Sequence, residues 1–340
     1  MAARGVAIVG GGPAGCSAAL HCSQLGIPVV LFESRDRYRE KPCGDALVAS
    51  AVALIQRFGL GQEELFSLGG RPFNEIRFGR VESAGAHRSS PHPGGWVVPR
   101  AALDQALRDV VSRTCEVRYS SAVAELFPNG SGVSVKVSQS DGMGEHFRAA
   151  IIASGAASRL SKSLGIDGAP TQGVAFRGYV EGVQHRNSLL VELTSNPTME
   201  YRWEFPIDAS ANVGACLLGF SIGESKGTAV AGLKSLVAGF GITKFSGGVE
   251  PLWSGNGRRW HHASGIVSCG DCAGIVDPIT GEGITAALMS GEMAAFAVAS
   301  YMENRDIITL ERFSMRIGET FSAKYTAQKD IVSSMLASLE

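Results

Sequence analysis

Three stretches of this sequence hold residues able to do chemistry. The first, GVAIVGGGPAGCSAALHCSQLGIPVVLFES (residues 5–34), sets Gly10, Gly12 and Gly15 in GxGxxG register between an apolar run and a helical pattern. The first glycine permits a tight turn, the second lets backbone approach a pyrophosphate, and the third lets helix and strand pack closely. The phosphates would then sit at a helix N-terminus, where amide groups and the helix dipole favour negative charge. Glu33 stands 18 residues after Gly15, where an acid can hydrogen-bond the adenosine ribose. Strand, turn, helix and acid agree on a dinucleotide site, although the motif alone does not separate NAD from FAD.

The second stretch, GDCAGIVDPITGEGI (270–284), gathers glycines and acids at the mouth of an apparent helix, TAALMSGEMAAFAVA. Cys269 and Cys272 form a CxxC around Gly270-Asp271. Because Cys269 ends an apolar strand pattern, core packing is expected for it rather than dithiol chemistry. The third region combines KPCGD (41–45) with YRWEFP (201–206). Cys43, flanked by Lys41 and Asp45, either serves a substrate or simply fills a loop. Strand alternation puts Tyr201, Trp203 and Phe205 on one face and Arg202 and Glu204 on the other, giving either an aromatic wall or an ordinary half-buried strand. His261-His262 is expected in a surface turn with no third ligand, so no metal site is predicted.

The elements that must position these residues follow from periodicity. Beyond the opening strand–helix–strand unit, a polar loop leads into an amphipathic helix, residues 72–99 alternate like strands, and a helix starts near Arg100. Strands are expected over 115–127, 131–139 and 146–153, with turns at Pro128-Asn129-Gly130 and Asp141-Gly142. Residues 170–253 read as a separate sheet with one helix at about 227–239, GIVSCGDCAG (265–274) returns to the style of the first unit, and 305–340 read as one or two amphipathic helices. The 340 residues, 45% apolar, can fill two cores. With 31 basic against 32 acidic residues and no basic run, nucleic acid is not an expected partner. Seven scattered cysteines point to a reducing cytoplasm. The N-terminal apolar run is shorter than a signal core, and no charge-free stretch reaches the length of a membrane span, which leaves peripheral lipid contact open.

Taken together, GxGxxG, Arg100 ahead of a helix, the glycine turn at Gly155, and Gly270-Asp271 followed by DPITGEGI resemble the FAD-dependent oxidoreductases of the para-hydroxybenzoate hydroxylase fold. KPCGD and YRWEFP, the latter similar to a YxWxFP signature, narrow the resemblance to the geranylgeranyl reductase family. It covers nearly the whole chain, with a shorter C-terminal helical region than is usual. The fold class it implies is α/β: a discontinuous Rossmann-like FAD-binding domain (1–75, 95–165 and 255–304), an inserted mixed or antiparallel β-sheet substrate domain (76–94 and 166–254), and a short C-terminal helical tail (305–340).

The resemblance also implies site residues. FAD would be held by Gly10, Gly12, Pro13, Ala14, Gly15, Glu33, Ser34, Cys43, Gly44, Arg100, Gly155, Gly270, Asp271, Pro278, Gly281, Gly283 and Ile284. Asp271 would meet the ribityl hydroxyls, Arg100 the phosphate or ribose region, and the helix after Gly283 would point its amides at the flavin edge that gathers negative charge on reduction. Cys43, Tyr201 and Trp203 are the catalytic candidates, for hydride transfer from reduced flavin to a carbon–carbon double bond of an isoprenoid or other small apolar or aromatic substrate. Ser154 stands where many hydroxylases of this fold carry Asp, which leaves the electron donor open between NAD(P)H and a donor protein. A monooxygenase or halogenase on the same scaffold and a non-catalytic electron relay are the alternative readings.

Overall fold

In the computed structural model, the described residues are 4–37, 41–83, 87–138, 144–156, 159–168, 171–183, 186–194, 199–207, 210–221, 226–242 and 246–337. The expected turn at Asp141-Gly142 lies outside them. The chain opens with β1 (Arg4–Val9), passes through the glycine turn into α1 (Pro13–Gln24), and returns as β2 (Val29–Phe32) parallel to β1. Pro13 suits the first helical turn, where its missing N–H leaves no bond unmade. Glycine is required on either side of it: a Cβ on Gly10, at φ 108°, would stand 2.3 Å from the Ala153 carbonyl oxygen, and one on Gly15 1.9 Å from that of Gly10.

Next come β3 (Ala46–Val48), α2 (Ala49–Gln56), α3 (Gln62–Ser67), and the long pair β4 (Arg71–Arg80) and β5 (His87–Val97). After α4 (Arg100–Val111) follow β6 (Glu116–Arg118), β7 (Val123–Asn129), β8 (Gly132–Val137), β9 (Glu145–Ile152) and the short α5 (Leu160–Ser163). A run of strands then forms: β10 (Thr171–Glu181), β11 (Ser188–Leu193), β12 (Met199–Ile207) and β13 (Ser210–Ser221), with α6 (Lys226–Val237) before β14 (Ser246–Pro251). The chain closes with β15 (His261–His262), β16 (Ile266–Ser268), α7 (Ile284–Asn304) and α8 (Ile307–Ala337).

Two sheets result. The first runs β15-β16-β9-β1-β2-β6, parallel from β16 to β6, with β7 and β8 attached beside β9. Its central strand is apolar without alternation because both faces are covered: Val6 and Ile8 enter one core, Ala7 and Val9 another. The second sheet runs β14-β10-β13-β12-β11-β4-β5-β3 and is antiparallel except where β11 meets β4. The architecture is thus the expected α/β fold with a chain-discontinuous nucleotide sheet and an inserted mixed sheet.

Three details differ from the sequence reading. The second sheet takes β3 and the start of β4 from within 1–75 and extends to Val97, because Ala46 and Arg71 both pair with Val97 on opposite sides of β5. His261-His262 forms an edge strand rather than a surface turn, and buried His261 pairs through Nδ1 with Ser314 Oγ at 2.8 Å. Finally, α7 is long and apolar enough to cross a membrane by length and composition, with 67% of its apolar window buried inside the molecule. Only Glu292 breaks that window, which is why the charge-free criterion passed over it.

Helix α7 lies directly on α1. A Cβ on Gly291 would come within 2.3 Å of the Ala14 carbonyl oxygen and 3.0 Å of Ser17 Cβ, so the two backbones touch. Replacing Gly291 by Val should therefore force the helices apart and cost about 1–3 kcal/mol, as overpacking does. Thermal unfolding of the variant measures it, and an unchanged melting temperature would contradict this packing.

Candidate active site

A cavity of about 730 Å³ extends from the N-terminal turn of α1 to the face of the second sheet. Gly12, Pro13, Ala14 and Gly155 line it at the dinucleotide end, and Asp271, Gly281, Gly283 and Ile284 along one flank. Loop 41–44 covers it. Ile76, Phe78, Leu189, Val191 and Leu193, from β4 and β11, form its apolar far wall, and Tyr201, Trp203 and Phe205 of β12 its aromatic one. The alternation read from YRWEFP is thus realised, while on the opposite face Arg202 Nε donates to Glu192 Oε2 at 2.7 Å.

The loop after β16 is held by its own side chains and by groups from α8 and β12. Asp277, fully buried, accepts the Ile279 amide at 2.8 Å and the Thr280 hydroxyl at 2.8 Å, which shapes the turn through Pro278. Glu282 accepts the Thr285 amide at 2.6 Å and so satisfies one of the open donors at the start of α7. From α8, Lys324 Nζ reaches Glu282 at 3.1 Å and the buried Tyr325 hydroxyl donates to Ile275 O. Tyr201 donates to Thr280 O at 2.5 Å, joining the aromatic wall to this loop. Lys41 forms an ion pair with Asp271, so the covering loop is fastened across the cavity.

Cys43 is half-buried at the cavity surface. Burial pushes its thiol up, the nearby Arg100 guanidinium opposes this, and Asp45 adds to it; the net direction is upward, which keeps the thiol protonated at neutral pH. Burial likewise raises Cys269 and Cys272, so neither presents a thiolate for dithiol exchange. Gly44 is needed for close approach, since a Cβ there would stand 2.6 Å from the Phe205 ring.

The other expected cofactor residues divide by position. Gly10, Gly15 and Gly270 sit within packing, and a Cβ on Gly270 would lie 2.7 Å from Ala14 Cβ. Glu33 is buried at the end of β2, where Oε2 accepts the Gly11 amide at 2.9 Å and Oε1 accepts the Arg35 amide at 2.9 Å and the Ser34 hydroxyl at 3.2 Å. Pro278 is not on the cavity wall, whereas its neighbours Ile279 and Thr280 are. Arg100 lines the cavity beside Cys43, its guanidinium committed to Asp104 at 3.0–3.1 Å. Burial opposes its charge, yet Asp104 holds its pKa above the ordinary guanidinium value.

Sequence reasoning missed Arg108, which is fully buried and donates to Gly11 O at 3.2 Å and Arg37 O at 2.7 Å, fixing the backbone around the glycine turn. An arginine among Leu107, Val110 and Val111 on a helix was its available signal. Asp45, Asn212 and Tyr179, joined behind the cavity, were also missed, because nothing in their spacing links them.

The dinucleotide end fits FAD. Open backbone amides begin α1 at the cavity, the turn leaves no room for a Cβ at Gly10 or Gly15, and Ser154 Oγ is buried there with no hydrogen-bond partner among the described residues. No group of three or more His, Cys, Asp or Glu residues suited to a metal ion occurs among the described residues.

Comparison with known proteins agrees with this geometry. The FAD binding domain family matches residues 4–199. The menaquinone reductase of Mycobacterium tuberculosis is 29% identical over 93% of this chain and 81% of its own. Digeranylgeranylglycerophospholipid reductase 2 of Methanothermobacter thermautotrophicus is 27% identical over 92% and 82% respectively. Among solved structures, a geranylgeranyl bacteriochlorophyll reductase-like protein from Thermoplasma acidophilum shares the fold, with a TM-score of 0.80 and 19% identity over 96% of this chain and 87% of that one. With the nucleotide turn, the continuous cavity and a family match over more than half its length, the chain belongs to the FAD binding domain family and is an FAD-dependent oxidoreductase.

Proposed function

We propose that this protein reduces a carbon–carbon double bond in an isoprenoid or related apolar substrate, including an isoprenoid quinone. The observation that carries this reading is the continuity of one cavity from the dinucleotide turn to a wall of aliphatic and aromatic side chains. Burying an apolar chain there gains about 25 cal/mol per Å² of surface removed from water, with no charge to desolvate on that wall. The relatives named above, reductases of menaquinone and of a geranylgeranyl lipid, support the same class.

Bound FAD, once reduced, supplies the hydride. The chain's own part is to hold the double bond against the Tyr201–Trp203–Phe205 wall, exclude water with loop 41–45, and protonate the second carbon. Cys43 and Tyr201 are the two candidates among the hydroxyl and thiol residues lining the cavity, which also include Ser50, Ser90, Cys216 and Thr280. The Tyr201 proton is engaged by Thr280 O, whereas the Cys43 thiol is kept protonated by burial, so Cys43 is assigned as the proton donor. One hydride and one proton add across the double bond, and solvent returns the proton to the Cys43 thiolate. Asp271, with its partner Lys41, and the amides opening α7 are assigned to the flavin side of the cavity. NAD(P)H or a donor protein supplies the electrons. None of the seven cysteines is in a disulfide, which supports a cytoplasmic setting.

Three measurements test this reading. Anaerobic incubation of reduced enzyme with a polyprenyl substrate should give a product heavier by two hydrogens, and a product that requires oxygen would replace this reading with monooxygenase or halogenase chemistry. Cys43→Ala should lower kcat by about 10²-fold or more while FAD binding, followed by flavin fluorescence, stays intact. Val191→Trp should shorten the cavity and raise KM for long substrates about tenfold, equal to ~1.4 kcal/mol of lost binding, without altering the flavin spectrum.

A further inference from the structure

Behind the cavity wall lies a buried carboxylate that the chemistry above does not use. Asp45 is fully buried and holds φ 63°, a left-handed conformation that a short polar side chain tolerates. Its Oδ1 accepts the Arg100 amide at 3.3 Å, and its Oδ2 accepts the Tyr179 hydroxyl at 2.5 Å and Asn212 Nδ2 at 2.8 Å. The Asp45 amide in turn donates to Cys43 Sγ at 3.3 Å. Asn212, also fully buried, extends the connection: Nδ2 donates to Cys43 O at 2.8 Å, and Oδ1 accepts Trp203 Nε1 at 2.9 Å. One carboxylate thus ties the covering loop to the start of α4, to β10 and β13, and through Asn212 to the aromatic wall on β12.

Burying a carboxylate costs several kcal/mol before its partners offset it, and packed apolar side chains stabilise a fold as well or better. What an apolar cluster would not supply is direction. Each bond here fixes an atom of the loop or of Trp203 in relation to the others.

We propose that Asp45 is a positioning residue, which through Asn212 sets the Cys43 thiol in register with the Trp203–Phe205 wall. The proposal rests on the reading above that Cys43 and this wall meet the substrate. The contact it maintains is tight, since a Cβ on Gly44 would lie 2.6 Å from Phe205 and 3.5 Å from Trp203 Nε1. Asp45 also acts on the thiol electrostatically: burial raises its own pKa, Tyr179, Arg177, Asn212 and Arg100 oppose this, and its charged form raises that of Cys43. Cys43 is faced by Arg100 from α4, with Asp104 behind it, and by Asp45 of its own loop, which also carries the Asp271-paired Lys41. Arg177 on β10 faces Asp45 and donates to Lys41 O at 3.3 Å. Of the two charges acting directly on the thiol, Arg100 lowers its pKa and Asp45 raises it.

The test uses the FAD-loaded full chain and two variants, D45N and N212L. Asparagine keeps the size of Asp45 and tolerates its backbone conformation, so D45N removes the charge without backbone strain, and it also turns one of the two acceptors met by Arg100 N–H, Tyr179 and Asn212 into a donor. Alkylation of Cys43 by iodoacetamide, quantified on the Cys43 peptide by mass spectrometry across pH, should show its midpoint shifted to lower pH in D45N, because Arg100 is then unopposed. In N212L the charge is unchanged, so alkylation should speed up at every pH with the midpoint fixed. In both variants kcat should fall by about 10²-fold with KM little altered, as displacement of a reacting group by about 1 Å does. A wild-type alkylation profile in both variants would overturn the proposal. If D45N does not fold, N212L decides alone, and unaltered Cys43 reactivity and kcat in it overturn the proposal. Altered alkylation with normal turnover upholds the positioning and instead removes Cys43 from the proposed reduction.

Discussion

The first turn of α1 meets the chain segments around it through glycines. Gly15 meets the carbonyl of Gly10, Gly291 of α7 meets the carbonyl of Ala14, and Gly270 meets the methyl group of Ala14, each closer than a Cβ would allow. Segments almost 300 residues apart in sequence therefore converge on one helical turn at backbone contact. The amides that begin α1 are left facing the cavity, and the turn carrying Asp271 is placed beside them. Helix dipole, open donors and a wall without side chains make this end suited to a dinucleotide.

The rest of the site depends on two sheets being held in fixed relation across that point. Polar bonds cross the gap, among them Lys41 with Asp271, Tyr201 with Thr280 O, and the Asp45 group. In a cavity with apolar walls such bonds are stronger than in water, and an unmade one is correspondingly costly. They set the position of loop 41–45 while the walls supply the affinity for an apolar substrate. The C-terminal helix belongs to the same arrangement, since Tyr325 is buried in an aromatic cluster with Trp253, Trp260 and Phe321 and bonds the backbone at Ile275, before the loop 276–283.

Much of this was legible without coordinates. The strand–turn–helix unit, the discontinuous nucleotide sheet, the alternation of YRWEFP and the helix after Gly283 all follow from local pattern, because each is a periodicity or a turn requirement within a few residues. Cys269 of the CxxC was also placed correctly in the core, since it directly follows the apolar strand β16. The side-chain partners were less legible. Arg100 stood out by its place ahead of a helix, yet its guanidinium belongs to Asp104, one turn further on. Arg108, with no motif of its own, anchors the glycine turn. His261-His262 looked like a surface turn because a two-residue edge strand has too few residues to show a period.

By itself, then, the sequence determined the fold class and the glycine turn of a dinucleotide-binding unit, because glycine geometry and strand and helix periods act over short range. The tertiary structure alone decided which carboxylate meets which cation, that Cys43, Trp203 and Asn212 belong to one bonded group with Asp45, and that a single cavity joins cofactor end and apolar wall. Those relations connect positions such as 45, 179 and 212, or 41 and 271. No spacing encodes them, and they exist only once two sheets have packed and buried polar groups have had to find partners.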